Sequence, residues 1–269
     1  MPDNRPIGVF DSGIGGMTVV KSIVESMPGE SIIYFGDTAH VPYGTRSRRQ
    51  ITEYVLADVR FLTTYDIKAV VIACNTADSV AREAVEKAYP DIPVFGVVDP
   101  ASRLAAAQTA NKKVGVIATN ATVKSGAYEE AIAAYDPEVQ VLSAACPLLV
   151  PLVENGRFQP GDPVVELVLR EYLDPLVEQG IDTLVLGCTH YPLLYDSITV
   201  LYPELHVISS SDAAAAKMLG TLITEDLIRT ESGTERRYFV SDDAEGVDKL
   251  ARVFMGEELG GTFRQVDVE

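Results

Sequence analysis

The chain contains no long hydrophobic run. No stretch approaches the roughly 20 consecutive apolar residues that a membrane-spanning helix needs, and residues 1–13 contain no apolar secretion core. We therefore expect a cytoplasmic protein that does not bind a membrane.

Cysteine is scarce, with three residues in 269. An odd number this small excludes a disulfide framework and favours a reducing compartment. The sequence also lacks the C-x-x-C and H-x₃₋₅-H spacings typical of zinc sites. With no signature for a metal or for pyridoxal phosphate, we expect neither a metal nor another cofactor.

Basic residues are too few to balance the acidic ones: 22 Lys and Arg face 39 Asp and Glu, a net charge of −17. Nucleic-acid binding depends on neutralising phosphates, so direct binding of nucleic acid is not expected. The one concentrated basic stretch, residues 46–49, is interpreted as a solvated helix start. The negative field also repels anionic substrates, so local donors must hold any substrate carboxylate.

Short apolar runs alternate with longer amphipathic segments, a pattern typical of βα units and a mainly parallel sheet. Strands are predicted at 7–10, 31–36, 69–74, 94–98, 113–118, 139–143, 183–187, 206–209 and 237–240. Helices are predicted to fill most gaps, for example 47–65, 77–88, 102–109, 123–135, 163–179 and 213–229.

The chain is long for one domain and comfortable for two. Its sharpest breaks lie near Asp99-Pro100 and around 209–212. We predict a first domain from residues 1–98 plus 210–269 and a second from 99–209. The chain would then leave the first domain, build the second and return.

Two cysteines occupy the same local setting. Cys74 follows the apolar run 70–73 and Cys188 follows 184–187, and both precede small polar residues. Ligands of open parallel sheets bind just past such strand ends, so the two thiols suggest an acid/base pair facing each other across a cleft. Cys146 precedes a proline and an apolar run, and is interpreted as a packing residue.

The two blocks echo each other in a second way. An earlier strand ends in Asp11-Ser12 in the first block, and another ends in the hydroxyl-rich segment 119–122 in the second. A duplication would place the cysteines in equivalent positions. The echo is also what any two parallel sheets share, and the sequence leaves both interpretations open.

A glycine-rich turn follows Asp11. Gly13, Gly15 and Gly16 allow a ligand to approach the backbone closely at a helix start, where free N–H groups could bind a carboxylate. Thr18 breaks the dinucleotide fingerprint, and no phosphate-loop lysine follows. The turn is either such a carboxylate-binding site or a plain βα connection. Asp11 could tune the charge of a neighbouring acid/base group.

Three further features are ambiguous from the residues alone. The donor-rich loop 35–44 could close over a ligand or be a simple turn with an exposed aromatic residue. Among the histidines, His190 is the functional candidate, whereas His40 and His206 are interpreted as structural or solvent-facing. Glu154 fits either an active-site carboxylate or a helix-end charge.

Together these residues resemble a known family. The motifs are Asp-Ser-Gly-x-Gly-Gly at 11–16, Pro-Tyr-Gly at 42–44, Cys-Asn-Thr-Ala at 74–77, Gly-Val-Val-Asp-Pro at 96–100, Gly-Cys-Thr-His-Tyr-Pro at 187–192 and Ile-Ser-Ser at 208–210. Singly they are weak. As an ordered set from residue 7 to about 254, they resemble the bacterial glutamate racemases of the cofactor-independent aspartate/glutamate racemase family.

The resemblance implies an α/β protein of two similar domains, with mainly parallel sheets flanked by helices and an active site in the interdomain cleft. It implies that Cys74 removes the α-proton of D-glutamate and Cys188 that of L-glutamate, with D-glutamate supplied for peptidoglycan synthesis. Asp11, His190 and Glu154 resemble the supporting catalytic groups. Substrate binding is implied for Asp11, Ser12, Tyr43, Gly44, Asn75, Thr76, Thr119, Thr122, Thr189 and His190.

Two positions depart from the family pattern: His40, where a basic residue is common, and Ala101, where glycine is common. The alternatives are a relative acting on aspartate or another dicarboxylate, and a two-domain binding protein without chemistry. The paired thiols count against the second. A homodimer is expected, whose geometry the sequence does not give.

Overall fold

The computed structural model describes residues 2–256 and 261–268. Its strands are β1 (Ile7–Asp11), β2 (Ile32–Gly36), β3 (Ala69–Ile72), β4 (Val94–Phe95), β5 (Lys113–Ala118), β6 (Gln140–Ala145), β7 (Thr183–Gly187), β8 (His206–Ser209), β9 (Arg236–Val240) and β10 (Phe263–Gln265). Its helices are α1 (Met17–Ser26), α2 (Arg48–Thr63), α3 (Asn75–Ala88), α4 (Val98–Gln108), α5 (Asn120–Ser125), α6 (Ala127–Tyr135), α7 (Leu149–Glu154), α8 (Pro163–Glu178), α9 (Tyr195–Leu201), α10 (Ser210–Thr224) and α11 (Ala244–Met255).

The strands form two sheets in which every pair is parallel. The first has the order β10-β9-β2-β1-β3-β4 and the second β6-β5-β7-β8. The predicted α/β class with two parallel sheets is confirmed.

The sheets share an internal order. In each, the first four strands along the chain lie as second, first, third, fourth. Cys74 follows the third strand of the first sheet and Cys188 the third strand of the second. The two cysteines therefore stand at equivalent places, and the carboxyl ends of β3 and β7 deliver them.

Helices cover the central strands, which explains their continuous apolar sequences. Every residue of β1, β3 and β7 is buried, as expected for parallel strands packed on both faces. One hydrophobic core includes one face of the first sheet and both faces of the second. A second core lies beneath the other face of the first sheet, against α2 and α3.

All nine predicted strands are found, and the basic stretch opens α2 as expected. The predicted strand 94–98 was too long, because Val97 and Val98 donate their backbone N–H groups to Asp78 and α4 begins at Val98. The predicted helix 123–135 is interrupted at Gly126, whose φ of 72° is left-handed. The edge strand β10 was missed.

The chain crosses between the sheets twice. It leaves the first sheet after β4 and enters α4, which packs on α6 and β7. It returns after β8 through α10, which packs on α1. This helix ends at Thr224, five residues before the predicted end. The predicted domain boundaries fall at the starts of α4 and α10, and they stay a prediction.

Within the part of the chain that the structure describes, no helix is long and apolar enough to cross a membrane.

Candidate active site

Both candidate thiols lie at the junction between a strand and the following segment. Cys74 is the N-cap residue of α3, and Cys188 directly follows β7. Each is only 6% exposed, and neither forms a disulfide. The strand 69–74 was predicted to include Cys74 but ends at Ile72, which leaves the thiol at the helix start.

The glycine-rich turn brings the two cysteine segments together. A Cβ on Gly15 would lie 2.3 Å from Thr189 Oγ1 and 2.6 Å from His190 Nδ1. The Thr18 hydroxyl donates to the Thr189 carbonyl at 2.9 Å and lies 3.0 Å from Ser211 Oγ. The absence of a side chain at residue 15 therefore lets the first sheet's turn rest directly on the residues after Cys188.

Asp11 ends β1 and lies beneath this turn. Its side chain accepts the backbone N–H of Gly13 at 3.1 Å. Burial raises the pKa of Asp11, while the charge of His190 and the N–H groups of the turn oppose that rise. Asp11 thus links the glycine turn to the electrostatics of both cysteine segments.

Cys74 is held as a neutral thiol in this arrangement. Burial and the nearby charge of Asp11 raise its pKa to about 12, with Cys188 adding to the rise. The hydroxyl of Ser12, 3.3 Å from Cys74 Sγ, and the N–H of Ala77 act in the opposite direction. A thiol in this state can donate a proton.

Cys188 has a different neighbour. Its Sγ lies 3.9 Å from His190 Nδ1, and His190 Nε2 lies 3.0 Å from Glu154 Oε1. Burial lowers the pKa of His190, but the hydrogen bonds with Cys188 and Glu154 outweigh it and raise that pKa to about 10. His190 is therefore an imidazolium that lies directly beside the Cys188 sulfur.

Three threonines connect the two halves near Cys74. The Thr76 hydroxyl lies 2.9 Å from that of Thr119 and 3.2 Å from that of Thr122, which are themselves 3.1 Å apart. Gly44 lies against the same group, since a Cβ there would be 3.2 Å from Thr119 Cβ. These predicted substrate-binding residues therefore share one corner of the site, where segments of the two sheets meet.

Asn75 is oriented by residues that sequence reasoning missed. Tyr128 donates its hydroxyl to Asn75 Oδ1 at 2.6 Å, and Asn75 Nδ2 lies 3.4 Å from Ser210 Oγ. Ser210 in turn donates to the carbonyl of Leu186. The only sequence signal for Tyr128 was an aromatic residue in an amphipathic helix, which is more often a core residue.

The Tyr43 side chain points away from this corner. It is 1% exposed, and its hydroxyl lies 2.6 Å from Asp37 Oδ2 and 3.0 Å from Asp58 Oδ2. Any contact of this residue with substrate must therefore come from its backbone. Asp37 and Asp58 were not among the predicted site residues.

None of the site contacts described above involves the residues that were interpreted as structural or packing residues, namely His40, His206 and Cys146. His40 stacks on Tyr54 with ring centroids 4.0 Å apart, and His206 pairs with Gln108 on the surface. Cys146 is fully buried, and its carbonyl accepts the hydroxyl of Tyr191. In residues 2–256 and 261–268, no group of three or more His, Cys, Asp or Glu side chains could hold a metal ion.

Comparison with known proteins gives the family. The sequence model of the Asp/Glu/Hydantoin racemase family matches residues 7–218, most of the chain. The chain belongs to this family. It is 45% identical to a glutamate racemase of Geobacter metallireducens over 267 residues, covering 98% of this chain and 97% of the relative.

Solved structures agree over the full fold. Glutamate racemase from Francisella tularensis, solved in complex with D-glutamate, matches with a TM-score of 0.92 at 37% identity, covering 99% of both chains. A glutamate racemase isoform from Bacillus anthracis matches with a TM-score of 0.93 at 36% identity, covering 99% of this chain and 98% of that one. The predicted resemblance is confirmed, and the chain is an amino-acid racemase, an isomerase.

Proposed function

We propose that the chain interconverts L- and D-glutamate by proton transfer between two cysteines and the α-carbon. The observation that carries the proposal is the placement of Cys74 and Cys188 after equivalent strands of two sheets, with the glycine turn of one sheet against the segment after Cys188. The names of the relatives, and the D-glutamate bound to the Francisella enzyme, support glutamate as the substrate.

The environments of the two thiols support opposite roles. In the L-to-D direction, the Cys188 thiolate takes the α-proton, and the electrons of the broken C–H bond pass into the α-carboxylate. Cys74 then donates its thiol proton to the opposite face of the carbon. The D-to-L direction uses the same groups with their protonation states reversed.

Neutral donors would stabilise the substrate carboxylates and the enolate-like transition state. The hydroxyls of Ser12, Thr76 and Thr119 stand beside Cys74 or within the threonine group. Such dipoles can hold a dicarboxylate despite the net charge of −17. Asp11, adjacent to Ser12, would face the substrate's ammonium group.

Isotope exchange tests the reaction directly. We expect D-glutamate and L-glutamate each to lose optical rotation in heavy water and to exchange the α-proton, followed by polarimetry and proton NMR. If neither enantiomer exchanges, the proposal is wrong. Exchange of aspartate in place of glutamate would assign the chain to a relative with another substrate.

Replacing each thiol tests the two-cysteine mechanism. Cys74→Ala and Cys188→Ala should each abolish racemisation, because one face of the α-carbon loses its only acid or base. Cys146→Ala is the matched control, since this third buried cysteine lies outside the proposed chemistry. Racemisation by either active-site variant at the parent rate would remove that cysteine from the mechanism.

We further propose that the product supplies peptidoglycan synthesis in the cytoplasm, as the resemblance to bacterial glutamate racemases implies. The three free thiols support a reducing environment. The expected homodimer stays a prediction, which light scattering of the purified protein would measure.

A further inference from the structure

A buried polar network lies behind the loop that carries Gly44. Tyr43 Oη stands between two buried carboxylates, 2.6 Å from Asp37 Oδ2 and 3.0 Å from Asp58 Oδ2. Asp37 and Asp58 are each 2% exposed. Asp37 Oδ1 also lies 2.8 Å from His40 Nδ1 and 2.9 Å from Ser241 Oγ.

The groups around Asp37 determine its role as a hydrogen-bond acceptor. Ser241 Oγ accepts the backbone N–H of Ala39 at 2.8 Å, so its own proton is free to point at Asp37. The ring N–H of His40 is the second donor to Asp37. The Tyr43 hydroxyl is the third, and it lies only 2.6 Å from Asp37 Oδ2. Three donors converging on one carboxyl group leave Asp37 only the acceptor role of a carboxylate.

The proton count then decides the state of Asp58. A tyrosine hydroxyl has one proton, and Tyr43 directs it to Asp37. The 3.0 Å contact between Tyr43 Oη and Asp58 Oδ2 can be a hydrogen bond only if the proton belongs to Asp58. The charged groups facing Asp58, Asp37 and more remotely Asp11, are both acidic and disfavour a second negative charge.

We propose that Asp58 is a positioning residue for the racemase reaction: it remains a neutral acid and donates a hydrogen bond to Tyr43, which fixes segment 42–44 against Thr119. This inference rests on the proposed function for its kinetic readout. Burial, followed by the charge of Asp37, raises the pKa of Asp58 well above its ordinary value, in agreement with the proton count.

The effect reaches the site through a short series of contacts. Tyr43 directly precedes Gly44, which packs on Thr119, and Thr119 is hydrogen-bonded to Thr76, two residues after Cys74. Movement of the Tyr43 ring would loosen this corner of the site. We therefore expect a change in glutamate KM larger than the change in kcat.

Isosteric substitutions at the two carboxylates should have opposite outcomes. Asp58→Asn keeps a donor at the position of the acid proton and should hold the KM for glutamate within about threefold of the parent value. Asp58→Leu offers no donor, and should raise KM by about tenfold, the size of one lost buried hydrogen bond. Asp37→Asn places an amide among three donors and should raise KM at least as much.

The reverse pattern overturns the proposal. A parent-like KM in Asp58→Leu would show that the hydrogen bond between Asp58 and Tyr43 does not position segment 42–44. A harmless Asp37→Asn would equally contradict the assignment of the charge. Circular dichroism and thermal unfolding of each variant separate these outcomes from a failure to fold.

Infrared spectroscopy of the substrate-free protein gives a readout independent of activity. A protonated carboxylic acid has a carbonyl stretch separate from that of carboxylates, and Asp58 should contribute one near neutral pH. The difference spectrum of parent minus Asp58→Asn should contain that band, and its absence would refute the neutral acid. If the parent protein does not act on glutamate, the proposed function fails while this result still stands.

Discussion

At the scale of single residues, His190 is the group whose charge the structure controls most clearly. Its pKa is about 10 because the hydrogen bonds with Cys188 and Glu154 outweigh the opposing effect of burial. The stability that this charge contributes is fully present below the ordinary histidine pKa of about 6.5. It is lost as the pH rises through about 10.

Glu154→Gln should lower the pKa of His190, because the neutral amide removes one of the two favourable partners. The pH at which the His190 contribution to stability disappears should fall with it. Proton NMR titration of the ring resonances measures the midpoint, and the chain has only three histidines to assign.

His206 provides the internal control for that titration. It pairs with Gln108 on the surface, so its ring resonances should be the same in the parent and in Glu154→Gln. An unchanged His190 midpoint would show that Cys188 alone accounts for the imidazolium.

The sequence predicted the positions of residues at the strand ends reliably. It did not predict the directions in which side chains near the site point. Asp11, Cys74 and Cys188 were located by the apolar runs before them, which is a local signal. The Tyr43 hydroxyl turns towards Asp58 and the Asn75 amide is held by Tyr128. These partners lie 15 and 53 residues away, so no local pattern could indicate them.

At the scale of elements, the same distinction applies to boundaries. β3 and β7 were found because fully buried strands have continuous apolar sequences. The start of α4 was misplaced because it depends on Asp78, a residue of α3 that accepts two N–H groups of the incoming chain. Such helix starts depend on tertiary contacts rather than on propensity.

The turn between β1 and α1 gives an element-scale prediction. Gly15→Ala should raise glutamate KM by about tenfold or more, because its Cβ would require the Thr189 and His190 side chains to move from positions only 2.3 Å and 2.6 Å away. Steady-state kinetics in both directions would measure the effect.

Gly29→Ala is the matched control for this turn. Gly29 lies after α1 at the surface, and a Cβ there would have no atom within 4 Å. The control should keep the parent kinetics and should not lower the free energy of unfolding, since it restricts the unfolded chain. Parent-like KM in Gly15→Ala would mean that the 189–190 segment adapts without cost to the site.

At the scale of the whole molecule, the proposed mechanism uses the two sheets as matched supports for one reaction. Their common strand order places a thiol after the third strand of each. The echo seen in the sequence was weak because only the strand ends are alike, whereas the helices and edge strands differ. The two thiols have different neighbours, Ser12 for Cys74 and His190 for Cys188. The proposed two-sided proton transfer requires such a difference.

The net charge of −17 gives the last prediction. Repulsion among surface carboxylates destabilises the compact state, and salt screens it, since the Debye length falls from about 30 Å at 0.01 M to about 8 Å at 0.15 M ionic strength. Urea unfolding, with a denaturant that adds no charge, should therefore give a higher midpoint at 0.15 M than at 0.01 M. Sodium and potassium chloride should act equally. A lower midpoint in salt would mean that the surface ion pairs, such as Arg49 with Glu53, outweigh the repulsion.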